Sequence, residues 1–214
     1  MTVDGEPTTA GRRERKKSAT RAAIRDAALR LAVRDGVENV TLDRIAGEAD
    51  IALRTFFNYF SSKEEAVVAG AAGDFRAFVA AFRARPRGES VLQALREGVL
   101  DVMDQMVSDE RDHISALVSI RGAPSLVPQL LAALAAQEDA FAEAIAERVD
   151  ADTAGSLYPR LCAATALATL RITLDRWLEE SPPGGVPSFA TLRAEIDRGI
   201  AELAAGLDRP GAPE

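Results

Sequence analysis

The chain has 214 residues, of which 47% are hydrophobic and 28% charged, with a formal net charge of -7; this composition suits an ordinary soluble protein with one large core or two smaller ones. A single cysteine, Cys162, and a single histidine, His113, exclude an internal disulfide and leave no Cys/His zinc site within one chain, so no cofactor is expected. No run of about 18 apolar residues occurs and the first residues are polar, so neither a membrane span nor a secretory signal is expected, and the expected location is the cytoplasm.

An acidic balance argues against nucleic acid as a partner, but the charge is unevenly spread. Arg12, Arg13, Arg15, Lys16, Lys17, Arg21, Arg25, Arg30 and Arg34 face only Glu14 and Asp26 in the same stretch. Phosphate neutralisation requires only that the contacting face be basic, and acidity elsewhere limits non-specific binding. Taken alone, the same stretch also fits a solvated, disordered tail.

Strand signals are scarce and apolar residues recur at helical spacing almost throughout, so the chain is read as all-α. Residues 1–19 form a flexible basic arm in this reading. Ile24, Ala27, Ala28 and Leu31 then make one stripe of a first helix from about Thr20 to Asp35, with Gly36 at the left-handed cap. Thr41 precedes Leu42, Ile45, Ala46 and Ala49, spaced i, i+3, i+4 and i+7, and is the expected N-cap of a short second helix. A third short helix is predicted from about Ala52 to Tyr59. The Ser61–Glu65 stretch carries a capping-box pattern ahead of a fourth helix running to about Arg83.

Beyond the Arg85–Gly88 turn, Ser90 caps a helix with Leu92, Leu95, Val99, Val102 and Met106 on one face. Further helices are expected at about Asp109–Arg121, Ser125–Val149 and Ser156–Glu180. Pro182–Gly185 is a break, Ser188 opens a last helix with Phe189, Leu192, Ile196, Ile200 and Leu203 inward, and residues 208–214 form a frayed tail. The predicted division is a first helical domain over 20–66 and a larger helical domain over 67–207.

Two short helices joined by a tight turn behind a basic arm are the arrangement in which the second helix enters the major groove. The residues from Thr41 to Ala49, followed by Arg54-Thr55-Phe56-Phe57-Asn58-Tyr59-Phe60-Ser61-Ser62-Lys63-Glu64, resemble the DNA-binding signature of the TetR family of transcriptional regulators. The match covers roughly Thr20 to Val68; the remaining helices agree with that family in number, length and order.

That resemblance implies particular roles. Thr41 would present its hydroxyl and the amides of the second helix to a phosphate, reinforced by Arg44. On the recognition helix, Arg54 would bond guanine, Asn58 adenine, and the Thr55 methyl would touch thymine. Tyr59 and Lys63 would reach the phosphate backbone. The chain departs from the family pattern at three positions. Asp50 stands where glycine is usual in the turn, tolerable because aspartate accepts left-handed backbone better than most residues, and it is a candidate cap for the third helix. Ala52 replaces the usual capping serine or threonine, and Phe57 replaces a frequent tyrosine, which moves the expected phosphate contact to Tyr59. Phe56 and Phe60 are read as core by their spacing; Arg54 and Asn58 also fit ordinary surface groups.

For the rest of the chain the resemblance implies a homodimer, paired through the last two long helices, on a palindromic operator in double-stranded DNA, released by a small-molecule effector of largely hydrophobic character. Leu167, Leu170, Leu174 and Trp177, with Ile196 and Ile200, are the expected interface, although packing within one subunit explains the same stripes. Met103, Met106, Leu117, Ile120, Leu134 and Phe141 are candidates for an apolar pocket, with His113 or Arg121 as the polar contact; each also fits ordinary core or surface. No nucleophile elbow, Walker loop or Rossmann fingerprint is found, so no enzyme is expected. The competing reading is a helical small-molecule-binding dimer without sequence-specific DNA function.

Overall fold

In a computed structural model, described for residues 9–71, 73–105, 123–180 and 188–206, the regular elements are all helical. Helix α1 spans Thr9–Asp35 and so begins well before the predicted Thr20, taking in much of the stretch expected to be a flexible arm. Arginine, lysine, alanine and glutamate are good helix formers, and lengthening an existing helix avoids the unfavourable nucleation step. The helix stops at Gly36, whose φ of 81° and ψ of 144° lie outside the predicted left-handed helical basin, in a region open essentially to glycine. A 3₁₀ turn, Val37–Asn39, leads to α2 (Leu42–Glu48) and α3 (Leu53–Phe56), a single turn where a longer helix is predicted.

Over the stretch of the predicted fourth helix the described residues form α4 (Lys63–Ala71) and α5 (Gly73–Ala84). Helix α6 (Val91–Gln105) follows, then a 3₁₀ turn (Pro124–Leu126), α7 (Val127–Ala146), α8 (Ala151–Ala154), α9 (Tyr158–Glu179) and α10 (Phe189–Ala205). Ser188 caps α10 as predicted, its hydroxyl accepting from Thr191 N. The helix expected at about Asp109–Arg121, the Pro182–Gly185 break and the C-terminal tail lie outside the described residues. No helix among the described residues is long and apolar enough to cross a membrane.

The chain forms two units. The first holds the residues up to Ala72 together with a later stretch that includes the Pro124–Leu126 turn. Its core is Ile24, Ala28, Leu31, Val37, Val40, Ile45, Phe56, Phe60, Val67 and Leu126, all nearly or fully buried. Helices α1 and α4 cross so tightly at Gly70 that a Cβ there would stand 2.8 Å from Leu29 Cβ and 2.9 Å from the Arg25 carbonyl oxygen. The Pro124–Leu126 turn packs against α4, and Ser125 Oγ donates to Glu38 Oε1 at 2.7 Å.

In the second unit α5 packs on α6, α9 on α10, and α10 on α6. Phe141 of α7 fits between Phe78 (5.1 Å between ring centroids) and Phe82 (4.9 Å, edge to face). Trp177 Nε1 donates to Thr191 Oγ1 at 2.9 Å, joining α9 to α10, and Arg96 holds Asp197 through two hydrogen bonds of 2.6 and 3.1 Å.

The tight crossing yields a direct test. Gly70→Ala is expected to lower stability by about 1–3 kcal/mol in spite of alanine's better helix propensity, because a backbone carbonyl and a Cβ cannot easily give way; chemical denaturation followed by circular dichroism measures it.

Candidate nucleic-acid interface

Thr41 takes extended backbone angles and its Oγ1 accepts from Arg44 N at 3.4 Å, so it caps α2 as the sequence predicts. The side chain is exposed and its hydroxyl hydrogen remains available to an acceptor outside the chain. At the other end of α2, Ile51 N donates to Ala46 O (2.9 Å) and Asp50 N to Gly47 O (3.2 Å). This bond pair is the Schellman closure, which demands a left-handed residue at Asp50. Asp50 has φ of 51°, the only positive φ outside glycine among the described residues. The alternative expectation, that Asp50 caps α3, is not met: Ala52 occupies the cap and no side chain bonds there.

Helix α3 is anchored from beneath. Phe56 is fully buried and Phe60 is 2% exposed, their rings 5.9 Å apart, as the i, i+4 spacing predicts. Phe57, 53% exposed, stands edge-on to Phe56. Arg54 and Asn58, four residues apart, are exposed on the other face, with Thr55 and Tyr59 half-buried beside them. Arg21 of α1 fastens the end of this segment: Nη1 donates to Tyr59 O at 3.1 Å, and the guanidinium lies 4.5 Å over the Phe60 ring.

Two residues expected to touch phosphate are otherwise engaged. Lys63 Nζ donates to three carbonyls in the connection before α2, those of Val37 (3.2 Å), Glu38 (3.3 Å) and Val40 (2.9 Å). An ammonium has three N–H groups, so its donors are consumed inside the chain. Arg44 binds the Asp35 carboxylate and donates to Asn39 O at 3.4 Å; hydrogen bonds from Arg34 and then Arg44 hold Asp35 below the usual carboxylate range. Both cations brace the approach to Thr41. The capping box ahead of α4 forms one residue out of its usual register. Glu65 N donates to Ser62 Oγ (3.1 Å), while Glu65 Oε2 accepts from both Ser61 N and Ser61 Oγ (2.7 Å each).

Of the expected pocket residues, Met103 and Phe141 are buried in the second unit's core and Leu134 is half-buried on α7; Met106, His113, Leu117, Ile120 and Arg121 lie outside the described residues. Leu167, Trp177, Ile196 and Ile200 are buried within the unit, with Leu170 and Leu174 packed against them, because α9 and α10 cover each other's apolar stripes. The outward face of the pair instead shows Leu161 (61% exposed) and Ile172 (57%) and a shallow groove of about 230 Å³ lined by Thr169, Ile172, Arg176, Arg198, Gly199 and Leu203. Leu161, Thr165 and Ile172, at helical spacing, were the signal for this second stripe.

A capped helix, a left-handed turn and a one-turn helix wedged on buried aromatics, set beside a basic first helix, define a helix-turn-helix DNA-binding unit. The family model for bacterial regulatory proteins of the tetR family matches residues 24–69, and that for the MftR C-terminal domain matches residues 89–208. The chain belongs to the tetR family and is a DNA-binding transcriptional regulator. It is 29% identical to the HTH-type transcriptional regulator TcmR of Streptomyces glaucescens over 96% of this chain and 94% of that one. Over 40% of this chain and 44% of the relative it is 37% identical to HdnoR, the nicotine-responsive transcriptional repressor of Paenarthrobacter nicotinovorans. Among solved structures it shares the fold of SmeT, repressor of a multidrug efflux pump of Stenotrophomonas maltophilia, with a TM-score of 0.56 and 22% identity over 92% of this chain and 98% of that one.

The turn supplies a second test. Asp50→Gly is expected to raise stability by about 1 kcal/mol through relief of the left-handed strain, read as a higher denaturation midpoint at unchanged slope.

Proposed function

We propose that the protein is a cytoplasmic repressor that binds a palindromic operator as a homodimer and lets go when a small, largely hydrophobic effector binds its second unit. The observation that carries the reading is the two-faced segment formed by α3 and the turn that follows it: Phe56 and Phe60 buried, Arg54 and Asn58 exposed with no ion pair or side-chain hydrogen bond among the described residues. Arg54 pairs with guanine O6 and N7, Asn58 with adenine, and the Thr55 methyl with thymine. Thr41 and Tyr59 hold phosphates on either side. Lys63 and Arg44 act one step back, keeping the connection before α2 in place.

In this reading residues 20–66 read DNA and 67–207 bind the effector and pair the subunits. Palindromic readout needs two recognition helices about one turn of DNA apart, hence two copies of the chain. The outward α9–α10 face, with Leu161, Ile172 and the groove at Gly199, is the exposed surface of these two helices assigned to that pairing. Helix α4 belongs to the first unit and α5, next in the chain, to the second, so this segment is the natural carrier of a coupling on the order of 1–3 kcal/mol. The named chemistry of relatives supports an apolar effector: HdnoR is nicotine-responsive and SmeT has been solved with triclosan.

Selection of bound genomic fragments by the purified protein, followed by footprinting at two salt concentrations, tests this. A protected near-palindrome whose affinity falls steeply with salt is expected; absence of sequence-selective binding would leave a helical ligand-binding dimer in its place. On the selected operator, Arg54→Ala is expected to weaken binding roughly tenfold to a hundredfold and to relax the preference for guanine at one position, as about 1–3 kcal/mol per bidentate contact requires.

A further inference from the structure

The first turns of α1 extend past the packed body of the first unit. Residues 12–19 are all exposed, and the first buried residue of the helix is Ile24. Arg12, Arg13, Lys16 and Lys17 make no ion pair or side-chain hydrogen bond among the described residues, and Glu14 is the only acid from Thr9 to Arg25. Both Arg12 with Lys16 and Arg13 with Lys17 are like-charge pairs at i, i+4, a spacing that destabilises a free helix. Among the described residues no acid pairs with these four to relieve that repulsion; a row of phosphates would.

Register decides where the charges lie. Arg13, Lys17 and Arg21 recur every fourth residue and share one side of α1, and Arg21 is the residue bonded to Tyr59 O and stacked over Phe60. The line that ends on the recognition segment therefore continues, unburied, through Lys17 and Arg13, about 6 and 12 Å further along the axis at 1.5 Å per residue. We propose that this helical extension is a second DNA-contacting element: Arg13 and Lys17, with Arg12 and Lys16 beside them, lie on the phosphate backbone flanking the bases that α3 reads. The proposal rests on the DNA-binding reading of α3 and adds to it a sequence-independent contact by a helix already formed before binding.

The test compares the full chain with an Arg13→Gln/Lys17→Gln variant, which keeps helix propensity and touches no packed residue. Binding to the selected operator duplex and to a random duplex of equal length is measured between about 50 and 200 mM salt. Each lost phosphate contact lowers the slope of log affinity against log salt by about 0.9, so a decrease of about 2 per protomer is expected, with both duplexes weakened alike and the preference between them unchanged. An unchanged slope overturns the proposal, as does a loss confined to the operator, which would mean that the two residues act through base reading. If the unaltered protein shows no salt-dependent binding to either duplex, the DNA-binding reading fails first and the proposal falls with it.

Discussion

A helix of one turn cannot hold its shape in water, because nucleation fixes three residues for a single hydrogen bond, and α3 has only four residues. Its existence depends on what it and the turn after it bury. Phe56 and Phe60 each remove most of an aromatic ring from water, worth on the order of 2–3 kcal/mol apiece, and Arg21 seals the second ring from outside. With that underside fixed, the opposite face has no freedom to turn, and Arg54 and Asn58 are presented in one orientation. The face that carries Arg54 and Asn58 is thus the reverse side of a small aromatic core.

The rest of the first unit keeps that wedge in register. Lys63 gathers three carbonyls of the connection before α2, and so joins α4 to the approach of α2. Arg44 and Asp35 brace the same connection from the surface, where an exposed pair contributes little by itself. Asp50 closes α2 at some conformational cost, and the tight turn it makes lets α3 start at once. In the second unit the corresponding anchor is the Phe78–Phe141–Phe82 stack, and α9 and α10 are tied by Trp177 and Thr191 rather than by packing alone.

Much of the DNA-reading unit was legible in the residues, because its signals are local. Thr41 caps by its own hydroxyl, Phe56 and Phe60 sit at i, i+4, and aspartate is among the few residues suited to the turn at Asp50. The extent of α1 was missed because solvent exposure without apolar periodicity reads as disorder, whereas an unsupported basic stretch can continue a helix nucleated elsewhere. The contacts of Lys63 within the chain were illegible for a different reason: its partners lie 23 to 26 residues away, and no local pattern encodes that contact. The stripes on α9 and α10 were found, but an apolar stripe says only that a face is covered, not whether the cover is the same chain or another. Pocket and core share one alphabet of apolar side chains, which is why the effector site could not be separated from ordinary packing.

Leu126 gives the molecule an order of completion. It is fully buried in the first unit, yet it is made well after the last residue of α4. While the chain is being synthesised, the DNA-reading helices are outside the ribosome with that side of α4 uncovered and Glu38 without the hydroxyl of Ser125. The unit acquires its last core residue only when much of the second unit's sequence has already emerged. The part of the protein that reads the genome is finished by a segment borrowed from beyond its own boundary, so a protein cut short before that segment would carry the reading surface on an incomplete core.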